Sequence, residues 1–319
     1  MHLSRIGLCL AALFLAAPAN AQSPGLWSTA AGMTTTRSDI GAVEAGGKIY
    51  IVGGQANGRT DSPLIQVFDP SVAMWRDLAP MPRGGSHVGV AAMNGKIYVA
   101  GGFLANVHKD PIDQFAEYDI ASNSWKTLPP LPRPLGSPGL AAIDGKLHVI
   151  GGRGPDAKTV NTHFVFDPAS GSWSNAAPLP LARDHLGIVA LAGKIYVVGG
   201  RTDATVNNTG QTDAYDPQTG KWQTLAPMPT GRSSGFAGVY RDRIVFVGGE
   251  CKNPQTRQTF DENEAFDPKT NTWSVLQKPP GGMHAGALAS IGNTAYFFGD
   301  NNGCGGDNPS TTVWAFRLP

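Results

Sequence analysis

Arginine recurs at one position of this chain, shortly after a proline-rich segment, and could recognise anions there. The five copies are Arg37, Arg83, Arg133, Arg183 and Arg232. A guanidinium group is planar and can hold a carboxylate through two parallel hydrogen bonds. Side chains that converge would form an Arg-rich site for an anionic ligand. Side chains that bond loop carbonyls would only brace their own repeats.

A second polar series lies eight residues before the Gly of each Gly-Lys turn or its equivalent. It consists of Asp39, His87, Ser137, His185 and Ser234, with His284 offset by one residue in the sixth repeat. Asp and His are metal ligands, but ligands from separate repeats would have to converge to about 2.1 Å from one ion. We therefore expect a polar, water-lined ring and no metal. A catalytic histidine is the alternative.

Three charged residues directly follow a Gly-Gly pair, namely Arg153, Arg201 and Glu250. If the chain is an enzyme, Glu250 is expected to act as acid or base and Arg201 to hold a ligand carboxylate, with His185 nearby. Other charged or polar loop residues, such as His108, are expected to be solvated.

The elements that must position these residues repeat with a period near 50. The first Gly of each pair is at 53, 101, 151, 199 and 248, and Gly299 holds this place in a decayed sixth copy. One copy is Gly193-Lys194-Ile195-Tyr196-Val197-Val198-Gly199-Gly200. Gly-Lys is typical of a hairpin turn, and the β-branched and aromatic run is typical of a buried strand. This period indicates a radial or stacked array.

Each copy continues with an aromatic-Asp pair and then a Trp, so each unit has four strands, the first rich in small residues. The pairs are Phe68-Asp69, Tyr118-Asp119, Phe166-Asp167, Tyr215-Asp216 and Phe266-Asp267, and the tryptophans are Trp75, Trp125, Trp173, Trp222 and Trp273. Trp27 lies 48 residues before Trp75 without a preceding Gly-Gly pair, and the last unit lacks its Trp strand. The sequence predicts an all-β, six-bladed propeller with four-stranded antiparallel blades. The strand around Trp27 would complete the blade of residues 283–318 and close the ring.

Gly-Gly, aromatic-Asp-Pro and Trp at this spacing resemble the kelch repeat, from Trp27 to the C-terminus, in a chain of the exported bacterial type. The resemblance implies a β-propeller whose first strands line a channel, with ligands bound on the face that carries the long loops. Both the arginine series and the long loops are expected on this face.

Residues 1–21 have the pattern of a cleaved signal peptide, which leaves residues 22–319 as a single propeller domain. Arg5 precedes an apolar run at residues 6–17, and Ala19-Asn20-Ala21 is a cleavage site. The run is too short to span a bilayer comfortably. We expect a soluble protein in the periplasm or outside the cell. A formal net charge of +1 argues against nucleic-acid binding.

Two cysteines, Cys251 and Cys304, remain after cleavage. An even number of cysteines in an oxidising compartment predicts a disulfide. Each follows the Gly-Gly position of its repeat, so the bond would join two loops on one face of the propeller.

The expected function is recognition of a carbohydrate or an envelope protein through the Arg-rich channel mouth. The partner would be an anionic glycan or an acidic protein surface. The alternative is a sugar-modifying enzyme of the sialic-acid mutarotase or epimerase type, which the resemblance to exported bacterial kelch proteins implies. We expect a monomer. We also expect no cofactor, because the copper chemistry of galactose-oxidising kelch propellers needs a Tyr–Cys cross-link, and here the two cysteines are predicted to pair with each other.

Overall fold

The computed structural model of the protein describes residues 25–56, 58–105, 108–305 and 309–319. The predicted signal peptide lies outside the described residues. The strands are β1 (Leu26–Ala30), β2 (Arg37–Ser38), β3 (Gly41–Ala45), β4 (Lys48–Val52), β5 (Gln55–Ala56), β6 (Ile65–Asp69), β7 (Met74–Asp77), β8 (Gly89–Met93), β9 (Lys96–Ala100), β10 (Phe115–Asp119), β11 (Ser124–Thr127), β12 (Gly139–Ile143), β13 (Lys146–Ile150), β14 (His163–Asp167), β15 (Ser172–Asn175), β16 (Gly187–Leu191), β17 (Lys194–Val198), β18 (Thr212–Asp216), β19 (Lys221–Leu225), β20 (Phe236–Tyr240), β21 (Arg243–Asn253), β22 (Gln258–Asp267), β23 (Thr272–Val275), β24 (Ala287–Ile291), β25 (Thr294–Phe298) and β26 (Val313–Arg317). Among the described residues, no helix is long and apolar enough to cross a membrane.

Six four-stranded antiparallel sheets form the blades. From the inner to the outer strand they are β3-β4-β6-β7, β8-β9-β10-β11, β12-β13-β14-β15, β16-β17-β18-β19, β20-β21-β22-β23 and β24-β25-β26-β1. The predicted six-bladed β-propeller is confirmed. So is its closure, because β1 pairs with β26 and places Trp27 opposite Phe316.

The innermost strands surround a narrow channel. Each contacts the innermost strand of the next blade, and β24 contacts β3. A Cβ atom on Gly41 would lie 2.2 Å from Cγ2 of Val90, and one on Gly187 would lie 2.5 Å from Cβ of Ala237. Only small residues permit this approach of neighbouring backbones, which explains the composition of these strands.

Each Trp of the outermost strands holds two blades together. Its indole Nε1 donates a hydrogen bond of 2.7 to 3.1 Å to a backbone carbonyl just past the outer strand of the preceding blade. The six bonds are Trp27 to Gln277, Trp75 to Ala31, Trp125 to Ala79, Trp173 to Pro129, Trp222 to Ala177 and Trp273 to Ala226. Trp27 therefore makes the same inter-blade bond as the other five, across the point where the two chain ends meet.

In the first four blades a Gly-Gly pair directly follows the second strand. Gly53 and Gly54 have φ values of 65° and 97°, a conformation that glycine adopts without a steric cost. The next residue then bridges to the connection that enters the innermost strand of its blade, as Arg201 does with Asp184. Each bridge puts a residue that follows a Gly-Gly position beside a member of the polar series or its neighbour.

The third blade differs from the others in its core. His148 stands where four other blades have Tyr, and its Nδ1 lies 2.9 Å from Nε2 of His163. The Nδ1 of His163 donates to the carbonyl of Ala177 at 3.0 Å, so His148 is the donor between the two rings. Burial lowers the pKa of His148 to about 3 and that of His163 to about 4.

This pair makes the stability of the protein depend on pH. In the unfolded chain an imidazole has a pKa near 6.5, which is about three units above the folded values. Below pH 6.5 the unfolded chain therefore binds more protons than the folded protein. The contribution is complete above about pH 6.5 and is lost as the pH falls towards 3. His148→Tyr should reduce the loss of unfolding free energy between pH 7 and pH 5 by about 2 kcal/mol, measured by urea unfolding at both pH values. An unchanged pH dependence would contradict this account.

Candidate functional site

The channel mouth is ringed by six residues in the left-handed backbone conformation. They are Asp39, His87, Ser137, His185, Ser234 and Ala285, with φ values from 49° to 61°. This is the polar series of the sequence, with Ala285 at the sixth position and His284 beside it. The conformation costs about 1–2 kcal/mol for each residue that is not glycine. Surrounding contacts must therefore impose it.

Backbone hydrogen bonds between blades hold four of the six residues in this conformation. The N–H of one ring residue donates to the carbonyl of its counterpart in the preceding blade, at 2.5 to 3.0 Å. The bonds run from Asp39 to Ala285, His87 to Asp39, Ser234 to His185, and Ala285 to Ser234. Backbone bonds thus link five of the six positions in sequence, from His185 through Ser234, Ala285 and Asp39 to His87, and the links from Ala285 to Asp39 and on to His87 join the last blade to the first two.

The channel is polar at this end and apolar beyond it. A cavity of about 130 Å³ at the mouth is lined by the ring residues. A smaller cavity of about 60 Å³ beside it is lined by Gln55, His108, Glu250 and His284, together with ring residues. Farther along the channel the lining consists of glycine, alanine, proline and aliphatic residues of the innermost strands. Within the described residues, the polar side chains of the channel are therefore concentrated at one end.

Two histidines of the ring are each held by a carboxylate. His87 Nε2 lies 3.0 Å from Oδ1 of Asp39, and Gln55 donates to the other oxygen of Asp39 at 2.6 Å. His185 Nδ1 lies 2.7 Å from Oδ1 of Asp184. These bonds fix the orientation of both imidazole rings.

Arg201 connects this network to the opposite loops. It is 1% exposed, its Nη1 bonds to Glu250 at 2.5 Å and its Nε lies 3.3 Å from Asp184. Its Nη2 donates to Nε2 of His185 at 3.0 Å and to Nε2 of His108 at 3.4 Å. Because both imidazoles accept from this guanidinium, each presents a lone pair at Nε2.

Burial and charge set the protonation of this network. Burial, the other imidazoles and the positive charge of Arg201 lower the pKa of His108 to about 3. Burial and Arg201 lower the pKa of His185 to about 4, against the opposing effect of Asp184. Burial alone would raise the pKa of Glu250, but the charge of Arg201 lowers it below its usual value. At neutral pH the mouth therefore holds a carboxylate base and two neutral imidazoles.

Arg153 also belongs to the mouth and is also neutralised there. Its Nε donates to Oδ2 of Asp184 at 2.7 Å, and its two terminal nitrogens donate to the carbonyls of Ala157 and Asp203 at 2.8 Å. Asp184 thus contacts both guanidinium groups. Both groups are therefore already paired with carboxylates of the protein.

Three of the recurring arginines lie inside blades. Arg37, Arg183 and Arg232 are each 0% exposed. Arg37 donates to Gln66 and Arg183 pairs with Asp213, both at 2.8 Å, and Arg232 pairs with Glu264. Arg37 and Arg232 also donate to the carbonyl of the first Gly of the Gly-Gly pair in their own blade. The geometry gives these three residues the bracing role that the sequence left open.

Arg83 and Arg133 differ from these three. The side chain of Arg83 is 48% exposed and lies 3.6 Å from Asp113, and Arg133 is half-buried near Gly154. A sequence signal distinguishes the two groups. The signal is the residue two places before the aromatic-Asp pair. In the blades with a buried arginine this residue carries an acceptor, as Gln66, Asp213 or Glu264. In the other two blades it is apolar, as Ala116 or Phe164.

A long hairpin and a disulfide limit the mouth on one side. In the fifth blade, β21 and β22 continue past the Gly-Gly pair and carry Glu250 to the mouth. Cys251 on this hairpin and Cys304 in the sixth blade form the predicted disulfide, with Cα atoms 5.0 Å apart. A disulfide is typical of proteins in a non-reducing compartment. His284 lines the same small cavity as Glu250 and bonds through Nδ1 to the carbonyl of Asn301 at 2.9 Å.

Three residues of the site were not among the predicted site residues. One is Gln55, which bonds to Asp39 and lines the smaller cavity. Asp184 lies between Arg183 and His185 in the sequence. The β-bridge between Asp184 and Arg201 brings its carboxylate to Arg201 and Arg153, and the sequence does not show this bridge. His108 was expected to be a solvated loop residue, but its ring stacks on His185 with centroids 5.0 Å apart. No repeat position distinguishes His108, since the path of its loop is not part of the repeat.

Two protein-family models match the chain. The model described as the KLHDC2/KLHL20/DRC7 Kelch-repeats domain matches residues 137–318. The model of the Kelch motif matches residues 36–82 and 84–132. Together they cover all five Gly-Gly pairs and the decayed sixth position at Gly299.

Among solved structures, that of YjhT is similar to this chain. The two are 18% identical with a TM-score of 0.75, and the alignment covers 90% of this chain and 97% of that chain. At this identity the likeness shows the fold alone. No curated protein matches the sequence significantly.

Because Arg201 is buried among acidic partners, its loss should destabilise the protein. Arg201→Ala removes the positive charge that neutralises the buried carboxylates of Asp184 and Glu250. It should therefore lower the free energy of unfolding by about 3–5 kcal/mol. Arg83→Ala is the matched control and should cost about 0–1 kcal/mol, because its ion pair is exposed. Urea unfolding measures both. Equal values would contradict the assignment of Arg201 as the centre of the network.

Proposed function

This chain belongs to the kelch-repeat family, and on that premise we propose that it is an exported recognition module that binds a carbohydrate at its channel mouth. The observation that carries the proposal is the concentration of polar side chains at one end of a channel whose other lining side chains are apolar. A concave site with a few convergent polar groups is the usual form of a small-ligand site.

The groups that line the mouth suit a hydroxyl-rich ligand. Asp39 and Glu250 can accept hydrogen bonds from hydroxyl groups, and Gln55 can both donate and accept. His87 and His108 add imidazole nitrogens and flat rings to the same cavity. A sugar ring presents alternating donors and acceptors to such a lining.

The charges of the mouth favour a neutral sugar over an anionic glycan or an acidic protein surface. Arg153 and Arg201 already hold carboxylates of the protein. An anionic ligand would have to displace Glu250 or Asp184 from these guanidinium groups, which leaves a buried carboxylate without its cation. A neutral sugar requires no such exchange.

The proposed location is the periplasm or the outside medium. The Ala19-Asn20-Ala21 pattern supports cleavage of a signal peptide, and the disulfide supports a non-reducing compartment. We expect the mature protein to be a monomer, because the ring closes within one chain and leaves no open end to a second copy.

A second candidate function is catalysis on a sugar, of the mutarotase or epimerase type. One observation favours it: the carboxylate of Glu250 and the neutral imidazoles of His108 and His185 contact the same guanidinium group. A base and a proton relay at one site are what opening and closing of a sugar ring requires. In this reading, Glu250 removes the proton of the anomeric hydroxyl as the bond from C1 to the ring oxygen breaks. The ring oxygen takes a proton from water, and reclosure on the other face of C1 returns the proton from Glu250.

NMR titration of the mature protein with neutral and acidic monosaccharides tests both functions. A neutral sugar should bind, and Glu250→Gln should weaken it about tenfold or more, because a hydrogen bond to a charged group is lost. Arg83→Ala, the control, should bind normally. Anomer interconversion, followed in the same samples, should be faster with wild type than with Glu250→Gln only if the chain is an enzyme.

Two results would overturn the proposal. Binding of no sugar in the panel would contradict carbohydrate recognition and direct attention to a protein partner. Sugar binding that is equally strong in Glu250→Gln and wild type would place the ligand away from the mouth.

A further inference from the structure

Three histidines meet at the channel mouth. Each of His87, His108 and His185 offers one ring nitrogen, and these atoms lie within 4.8 Å of one another. The ring centroid of His185 lies 5.0 Å from each of the other two, which are 5.6 Å apart. The three residues come from connections of the second and fourth blades, so only the closed propeller brings them together.

Their surroundings resemble the outer shell of a metal centre. Asp39 holds His87 at 3.0 Å and Asp184 holds His185 at 2.7 Å. A carboxylate on the far nitrogen of a metal-binding histidine fixes the orientation of the ring and increases its basicity. In His185 the carboxylate takes Nδ1, which leaves the lone pair of Nε2 for a ligand.

The hydrogen bonds of Arg201 show where the lone pairs converge. Its Nη2 lies 3.0 Å from Nε2 of His185 and 3.4 Å from Nε2 of His108. One cationic group therefore already interacts with two imidazole acceptors from different blades. A metal ion is a second kind of cation that these lone pairs can hold.

We propose that His87, His108 and His185 bind a divalent transition-metal ion of the zinc type at the channel mouth. Three imidazoles and one open position form the usual donor set of an accessible zinc site. The surrounding charge permits it, since the carboxylates of Asp39, Asp184 and Glu250 outnumber the guanidinium groups of Arg153 and Arg201 by three to two.

Binding requires three adjustments, which set its strength. Because Asp39 holds Nε2 of His87, the ligand nitrogen of this residue is Nδ1, which must give up its contact with Oγ of Ser86 at 3.2 Å. The nitrogen atoms must approach to about 3.4 Å for bonds of about 2.1 Å in tetrahedral geometry. Arg201 Nη2 must also give up its two imidazole acceptors, while Nη1 keeps Glu250 and Nε keeps Asp184. Competition with Arg201 makes the site weaker than a closed structural zinc site, and its occupancy should depend on the concentration of free metal.

The test uses the mature protein without a histidine tag and Zn²⁺ alone. Calorimetric titration should give one ion per chain, and Co²⁺ should show the visible absorption of a tetrahedral nitrogen site. His108→Ala should weaken Zn²⁺ binding at least tenfold, and so should His87→Asn. His284→Gln is the matched control, because this mouth histidine lies outside the cluster; it should bind as wild type does.

Three results would overturn the proposal. One is the absence of stoichiometric binding, which would leave the cluster as a polar lining. Another is binding that survives both His108→Ala and His87→Asn. The third is binding that His284→Gln weakens as much as they do. The sugar titration in the presence of a chelator keeps this proposal separate from carbohydrate recognition.

Discussion

The hydrogen bond from each Trp indole to the preceding blade is the interaction on which the rest of the structure depends. A blade alone has two exposed faces, and its sheet buries them only against its neighbours. The same bond occurs six times, and Trp27 makes it across the junction of the two chain ends. This bond and the β1–β26 pairing convert an open row of blades into a ring.

Ring closure also accounts for the chemistry of the mouth. Six residues have a left-handed conformation, at a cost of about 1–2 kcal/mol each. Four of them, Asp39, His87, Ser234 and Ala285, are held by an N–H bond to the neighbouring blade. The same closure brings His108 of the second blade and Glu250 of the fifth blade to Arg201 of the fourth. Buried charges are tolerated there because each has an opposite charge or a hydrogen-bond partner in the network.

The sequence was sufficient to predict the fold and only part of the site. Gly-Gly pairs, aromatic-Asp pairs and tryptophans act locally and repeat, so they determine the blades and the position of Trp27. The arginine series shows the limit of this reasoning: Arg183 and Arg83 share a repeat position, yet one is buried and the other exposed, because only the first has an acceptor, Asp213, on the third strand. The role of His108 could not be predicted, because a loop that crosses the mouth follows no repeat.

The measurement that tests closure most directly compares Trp27→Phe with Trp222→Phe by urea unfolding. Each substitution removes one indole donor and leaves an aromatic ring in place, so each should cost about 1–3 kcal/mol of unfolding free energy, and the two losses should agree. Equal losses would show that the N-terminal strand joins the ring as the other outer strands do. A loss in Trp222→Phe with none in Trp27→Phe would contradict the closed ring and, with it, the preformed mouth.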